Sequence, residues 1–295
     1  MVIGLPPDAR ADLGPWPVDK PRRIWLCADD YGISPAVNAA IGELLQRGRL
    51  NATSVMVVAP SWSRSDASLL SSLRAAGRLR AVGLHLTLTG AFRPLTQSFK
   101  PLCGSVFRPL TDMIFLSLIR RLDRGALAAE IAAQLAAFSA AFGCAPDFVD
   151  GHQHVHLLPQ IRDEVVAAIK TAAPKAWLRQ CGSVRPVVDQ LRDRKGLLLS
   201  WFSRGLRRKA KAQSVATNPA FAGSYALRPG TDFAGLFPRF LDGLPDGGLI
   251  MCHPGLVDDE LKKLDSLTDL RETEYRYFVG EAFLELLRRR HVVLA

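Results

Sequence analysis

The sequence predicts an α/β protein whose mainly parallel sheet closes into a (β/α) barrel, complete or distorted. Three observations carry that prediction. Short apolar runs rich in β-branched residues alternate with amphipathic helical segments from about residue 22 onward, the pattern of successive βαβ units. No Pro/Gly/Ser-rich linker divides the 295 residues, so the units read as one domain. Polar residues collect at the ends of four apolar runs, where chemistry gathers in open and closed α/β sheets alike. A doubly wound open sheet remains the alternative, because periodicity does not show whether a sheet closes. Residues 1–21 read as a loose arm and 22–295 as a single domain with a basic insertion at about 191–230.

The elements follow in order. Residues 24–28 form an apolar strand that ends in two aspartates. Ser34 before Pro35 is a helix N-cap with proline in the first turn, and Gly48 closes a helix over 35–47. A β-branched run at 52–58 predicts the second strand, and 63–76 a helix ended by Gly77. Residues 81–88 alternate, with Val82, Leu84, Leu86 and Leu88 on one face and Gly83, His85 and Thr87 on the other. A proline-punctuated stretch leads to an alanine-rich helix at 127–142 stopped by Gly143. Residues 147–156 look extended, 159–172 helical and 177–179 extended. Helices are expected at about 191–212, 232–242 and 270–290, with the last strands at 249–252 and 292–294.

Composition narrows the setting. With 48% apolar residues and 22% charged, the chain has material for a large core, which excludes disorder as its main state. Its five cysteines, at 27, 103, 144, 181 and 252, are scattered and never form a C-x-x-C pair. That argues against a disulfide framework or zinc ribbon and for a reducing compartment. The first residues lack the unbroken apolar stretch of a signal peptide. No run approaches the roughly 18 apolar residues of a spanning segment. A cytoplasmic protein is expected, with peripheral membrane contact left open.

Four strand ends carry groups that a core would not welcome. Asp29 and Asp30 are adjacent, and like-charge repulsion in a partly buried site calls for a cation or a shared proton; aspartates are also ordinary turn formers. His85 shares its face with Gly83 and Thr87, and a lone histidine so placed is more often a satisfied structural residue than a ligand. Asp150-Gly151-His152-Gln153-His154-Val155-His156 holds half of the six histidines within five residues. If extended, these three rings project on one side, where imidazole is a common metal ligand and Asp150 could orient one ring. His253 precedes a Pro-Gly turn at the same rim. This mixed Asp/His set suits zinc or another first-row divalent metal, and magnesium less well. No Gly-x-Ser-x-Gly elbow, P-loop or Gly-x-Gly-x-x-Gly is present, which removes support from serine chemistry and nucleotide binding.

In order, Ala28-Asp29-Asp30-Tyr31-Gly32-Ile33-Ser34, Thr53-Ser54-Val55-Met56-Val57, Gly83-Leu84-His85-Leu86-Thr87, the 150–156 motif and Cys252-His253-Pro254-Gly255 resemble the YdjC/ChbG-like carbohydrate deacetylases. The likeness runs over about residues 22–260, and the HpnK proteins, tied to hopanoid lipid biosynthesis, share the pattern. The resemblance implies a distorted (β/α) barrel of the polysaccharide-deacetylase-like type, and removal of an N-acetyl group from a small amino sugar or a glycolipid. It implies Asp30, His85 and His152 as ligands of one divalent metal ion, zinc or magnesium, and Asp29 as general base. Under it, His253 is an acid or a substrate-orienting group. His154 is a substrate contact, Arg179 a clamp on a substrate hydroxyl or phosphate, and Tyr31, where Phe is usual, a hydroxyl near the site. The metal would polarise the acetamide carbonyl and lower the pKa of its bound water, Asp29 would take the proton, and a protonated group would help the amine leave. A homodimer is compatible with this reading. The rivals are a metal-dependent phosphoesterase, which would want more carboxylates, and a non-catalytic metal- or anionic-surface-binding module.

Charge is the remaining peculiarity. The chain carries +10 from 38 Lys+Arg and 28 Asp+Glu. Residues 191–213 alone supply +7 of it, through Arg192, Arg194, Lys195, Arg204, Arg207, Arg208, Lys209 and Lys211 against Asp193. With no recognition motif beside it, this charge does not indicate nucleic acid. Its apolar run at 197–202 fits either a packed, solvated helix or an interfacial helix touching anionic lipid.

Overall fold

The computed structural model describes residues 20–295 except 101, 184–193, 227 and 229. Most of the expected arm at 1–21, and the start of the basic insertion with Arg192, lie outside the described residues. The order opens β1 (Arg22–Tyr31), α1 (Pro35–Gln46), β2 (Ala52–Val55), α2 (Arg64–Ala75) and β3 (Ala81–Leu86). A hairpin of β4 (Leu102–Cys103) and β5 (Val106–Phe107) precedes α3 (Leu110–Leu118), α4 (Arg124–Phe142) and β6 (Phe148–Gly151). A 3-10 turn (His152–Leu157) leads to α5 (Ile161–Ala172), β7 (Trp177–Leu178), α6 (Arg194–Ala212), β8 (Phe221–Ala222) and α7 (Phe233–Phe240). Last come β9 (Gly248–Cys252), α8 (Asp259–Leu264), α9 (Asp269–Val279), α10 (Glu281–Arg289) and β10 (Val292–Leu294).

Seven strands pair in the order β7-β6-β3-β2-β1-β9-β8, all parallel, and β10 pairs with the start of β1. The sheet curls until its two edges meet, where isolated parallel bridges join Leu178 to Thr217 and Ser183 to Phe221. The barrel is therefore distorted: its seam holds by bridges rather than by a full ladder. Apolar side chains from both faces of the strands are buried, as expected of strands covered by helices outside and packed inside. Asn51 links the strand starts, its side chain accepting from the Leu26 N–H and donating to the carbonyls of Ile24 and Ala295.

Helix boundaries follow the caps. Ser34 accepts from the Val37 N–H with Pro35 in the first turn, and Ser63 caps α2. Asp123 caps α4, which starts at Arg124, three residues before the expected start, and Gly143, at φ +71°, ends it. The stretch read as proline-punctuated also holds a hairpin and α3. The single helix expected over 270–290 is two, because Gly280 leaves the helical region (φ −69°, ψ 158°) and serves both as cap of α9 and as start of α10. By length and composition α4 could cross a membrane, against the expectation drawn from apolar runs. Here it packs on α5 and β3, and its inward Glu130 and Gln134 are hydrogen-bonded to the 87–96 loop.

The largest departure is at 147–156. The strand ends at Gly151, and Gln153 and His154 then take left-handed φ values of 52° and 60°. The three histidines consequently do not project on one side. The tight turn closes on Gly151, where a Cβ would stand 2.9 Å from His156 Nδ1.

Gly83 shows how packing positions this region. Phe148, stacked on Trp177 at a centroid distance of 4.4 Å, presses on it, and a Cβ there would stand 2.3 Å from the Phe148 ring carbon Cε2. Phe148 is wholly buried and has nowhere to retreat. Gly83→Ala is expected to cost about 1–3 kcal/mol of stability by overpacking, read as a lowered urea midpoint; an unchanged midpoint would contradict this packing.

Candidate functional site

β1 delivers two adjacent carboxylates to the barrel mouth because it bulges. Its register with β2 shifts between Ala28 and Tyr31, and Asp30 sits at φ +65°. In a regular strand neighbouring side chains point to opposite faces; the extra residue breaks that alternation, so both Asp29 and Asp30 face the same cleft. That cleft, of about 300 Å³, is also lined by His85, His152, His154 and His253.

Three donor groups converge there. Asp30 Oδ1 lies 3.1 Å from His85 Nε2 and 3.0 Å from His152 Nδ1, all three side chains being almost fully buried. The donor atoms of Asp30, His85 and His152 lie within 4.8 Å of one another. This is two imidazoles and a carboxylate, a donor set that fits a divalent metal. The back of His85 supports the fit: Nδ1 is 2.7 Å from Asp150 Oδ1 and 3.0 Å from Ser54 Oγ. A carboxylate behind a ligating histidine fixes its tautomer and turns its other nitrogen outward. Register explains the pairing, since His85 and Asp150 are direct partners on β3 and β6.

Two buried arginines hold the carboxylates. Arg179, just past β7, reaches Asp29 with Nη1 at 2.6 Å and Nη2 at 2.8 Å, and Nη2 lies 2.6 Å from Asp150 Oδ2. Arg271, on α9, donates to Asp30 Oδ2 and to Asp265 Oδ2, each at 2.6 Å. Cys27, Asp29 and Asp150 also bring donor atoms within 4.8 Å of one another, but the Arg179 guanidinium stands among them, 2.9 Å from Cys27 Sγ, and is their cation.

These charges shift the groups they touch. Burial opposes charge on Asp30, yet Arg271 and His152 hold it well below the usual carboxylate range. Burial likewise opposes charge on Asp150, which Arg179 and His85 bring below its ordinary value. Burial alone would depress His85, but Asp150 and then Asp30 reverse this and raise it to about 10. Burial lowers His253 to about 4, and its Nδ1 has no hydrogen-bond partner among the described residues. Its backbone N–H donates to Glu274, which burial pushes up to about 7 and which also accepts from Tyr225.

The expected site residues fall into two groups. Asp29, Asp30, His85, His152, His154 and His253 come together at the cleft. Tyr31 and Arg179 do not reach it. Tyr31 turns its hydroxyl to Asp66, 3.2 Å away beside α1 and α2, because the bulge sends its side chain the other way. Arg179 is 1% exposed, and its guanidinium is spent on Asp29, Asp150 and Cys27. It cannot clamp a substrate. His156, third of the histidine run, is structural: its Nε2 donates to the Arg179 carbonyl at 2.9 Å. Sequence reasoning passed over Arg271 and Glu274, which lie within a helix of alternating charges that reads as solvated; their spacing of three, which places them on one face, was the available signal.

Known proteins bear on this geometry. The family described as YdjC-like protein matches residues 23–289. A carbohydrate deacetylase of Clostridium beijerinckii is 22% identical over 284 residues, covering 92% of this chain and 97% of the relative. A chitooligosaccharide deacetylase of Yersinia pestis is 32% identical over 240 residues, covering 79% of this chain and 82% of the relative. A crystal structure from Enterococcus faecalis V583, provisionally described as a cellobiose-phosphate cleavage protein, superposes with a TM-score of 0.68 at 21% identity, covering 94% of this chain and 97% of the other. It shares the fold.

The shifted groups give the metal-free protein a defined pH window. His85, raised to about 10, contributes stability that is fully present below its unfolded value of 6.5 and lost as pH climbs toward 10. Asp30 and Asp150, both depressed, contribute stability present above their unfolded value of 3.8 and lost as pH falls. Urea midpoints of chelator-treated protein should therefore peak between these limits and decline on both sides. Since a ligating His85 nitrogen must be unprotonated, metal uptake near neutral pH should release about one proton. Calorimetry in buffers of differing ionisation enthalpy would read it, and zero release would show that His85 is not both protonated in the free site and a ligand in the loaded one.

Proposed function

The chain belongs to the YdjC-like family, and we propose that it hydrolyses the N-acetyl group of an amino sugar or glycoconjugate with the help of one divalent metal ion. The observation that carries this reading is the convergence of Asp30, His85 and His152 in a cleft where a further carboxylate, Asp29, stands beside them under the grip of Arg179. The named relatives, carbohydrate and chitooligosaccharide deacetylases, support the same chemistry.

Asp30, His85 and His152 would hold the metal. Bound there, it supplies Lewis acidity toward the acetamide carbonyl and the attacking water. The two-histidine, one-carboxylate set favours zinc or another first-row divalent metal over magnesium. Asp29 acts as general base and receives the proton of the attacking water. Two hydrogen bonds from Arg179 fix its carboxylate, so its geometry is set before substrate arrives. The proton it gains is then available to the departing amine, so that water and amide become acetate and amine. Burial keeps His253 neutral in the resting site, which favours the orienting role over that of a resident acid. His154, also in the cleft lining, contacts the sugar. The scattered cysteines, all free among the described residues, support action in the cytoplasm.

A phosphoesterase would call for a second metal and further open carboxylates. Asp29 and Asp150 are instead each paired with Arg179, and of the three carboxylates only Asp30 meets both His85 and His152.

Asp29→Asn should keep metal affinity within a few-fold while lowering acetate release by about 10²–10⁴, assayed on N-acetylglucosamine oligomers and on glycolipids, with and without added zinc or magnesium. Undiminished release would remove Asp29 as the base. His85→Ala and His152→Ala should each weaken metal binding by at least about tenfold; if both bind as tightly as the unaltered protein, the ligand set is wrong.

A further inference from the structure

Exposed large apolar side chains are concentrated on two helices that touch the turn carrying His152 and His154. Of nine among the described residues, Phe115, Leu118 and Ile119 belong to α3 and its cap, and Leu198 and Trp201 to α6. Phe115 is 61% exposed and Trp201 55%. Both helices contact the 3-10 turn that carries His152 and His154, and α3 begins at Leu110 on the cleft wall. Ser117 Oγ ties α3 to the Pro159 carbonyl at the start of α5, and Arg162 of α5 lies across Gly205 of α6. The helices thus flank one stretch of surface.

That surface is also cationic. On α6 the buried positions Leu199, Phe202, Leu206 and Ala210 face the core, while Leu198, Trp201, Arg204, Arg208 and Lys211 follow one another along the outer side. Arg120 and Arg121 follow α3 directly and are exposed. Arg162 lies between the helices: burial lowers its pKa, and both Arg208 and Arg120 add to that. Lys209 pairs with Asp163 at 3.3 Å, but Arg120, Arg121, Arg204, Arg207 and Arg208 form no ion pair among the described residues.

We propose that the face made by α3 and α6 docks on an anionic phospholipid bilayer, with the aromatic and aliphatic side chains entering the headgroup layer and the arginines meeting its phosphates. Charge complementarity selects this occupant. A second copy of the chain, meeting the face about a twofold axis, would set arginines against arginines, whereas a bilayer offers apolar depth and negative charge together. Trp and Arg are residues suited to that boundary. Because both helices touch the turn that carries His152 and His154, docking would hold that wall of the cleft near the headgroups and a membrane-held sugar near Asp29. The docking itself stands apart from the deacetylase reading and is tested without it.

Sedimentation with vesicles of phosphatidylglycerol and phosphatidylcholine in equal parts, against pure phosphatidylcholine, decides the matter. The protein should bind the anionic vesicles, and high salt should release it. The Arg204→Glu, Arg207→Glu, Arg208→Glu variant should bind at least about 100-fold more weakly, at roughly fivefold for each basic residue lost. Brominated lipid should quench a tryptophan signal that is absent in Trp201→Phe. Acetate release from soluble N-acetylglucosamine oligomers should be unchanged in both variants, which separates loss of docking from loss of the site. Absence of binding to anionic vesicles, binding indifferent to the arginines, or a stable dimer in solution that Trp201→Ser dissolves would each overturn the proposal.

Discussion

The Arg179 guanidinium decides how the strand ends meet. It lies just beyond β7, is 1% exposed, and is shared between Asp29 of β1 and Asp150 of β6. Taking such a cation out of water costs several kcal/mol unless carboxylates meet it with good geometry. Satisfying it ties the end of β1 to the ends of β6 and β7, which are neighbours in the sheet but lie across it from β1. From there opposite charges alternate across the site: Arg179 to Asp150 at 2.6 Å, Asp150 to His85 at 2.7 Å, His85 to Asp30 at 3.1 Å, and Asp30 to Arg271 at 2.6 Å. Loss of one member would leave its neighbour as an uncompensated buried charge, which costs far more than the pair contributes. The arrangement therefore holds position more than it adds stability.

The same line of contacts explains why a cation belongs between the histidines. Asp29, Asp30 and Asp150 bring three negative charges into one buried volume, and Arg179 and Arg271 return two positive ones. The balance falls to His85, which the carboxylates keep protonated to about pH 10. A divalent ion at the same place would satisfy Asp30 and free His85 of its proton, while Asp150 still fixes the ring from behind. Proton and metal are alternative solutions to one electrostatic demand. Arg271 adds a restriction, because it occupies Asp30 Oδ2 and leaves Oδ1 turned to the histidines.

Much of this was legible in the sequence. The alternation read over 81–88 put His85 on the face opposite the aliphatic residues, and the signals at Ser34, Gly77 and Gly143 set helix ends to within a residue or so. What escaped has a common cause: it depends on partners far along the chain or on backbone irregularity. The bulge at Asp30 overrides strand periodicity, so Tyr31 left the cleft that its neighbours entered. Two left-handed residues broke the extended reading of the histidine run and separated His152 from His156. Arg179 carried the right address, a strand end, but nothing local revealed that two aspartates, 150 and 29 residues away, would absorb it. Arg271 and Glu274 look like any charges on a solvated helix until the fold brings Asp30 and His253 beneath them.

The net charge of +10 does not describe the field at the site. Inside, acids and bases nearly cancel, and the excess sits on 191–213 and the neighbouring arginines. Screening confines an exposed charge to roughly 8 Å at physiological ionic strength, so the α6 arginines exert little pull on a substrate deep in the cleft. An N-acetylated sugar without a charge would gain nothing from them in any case. Nor do they stabilise the helix, since Arg204, Arg207, Arg208 and Lys211 lie close together and repel. A costly concentration of like charge, beside exposed Trp201 and Phe115, is thus explained neither by catalysis nor by folding. It fits a role in where the enzyme works, leaving what it does to the neutralised interior.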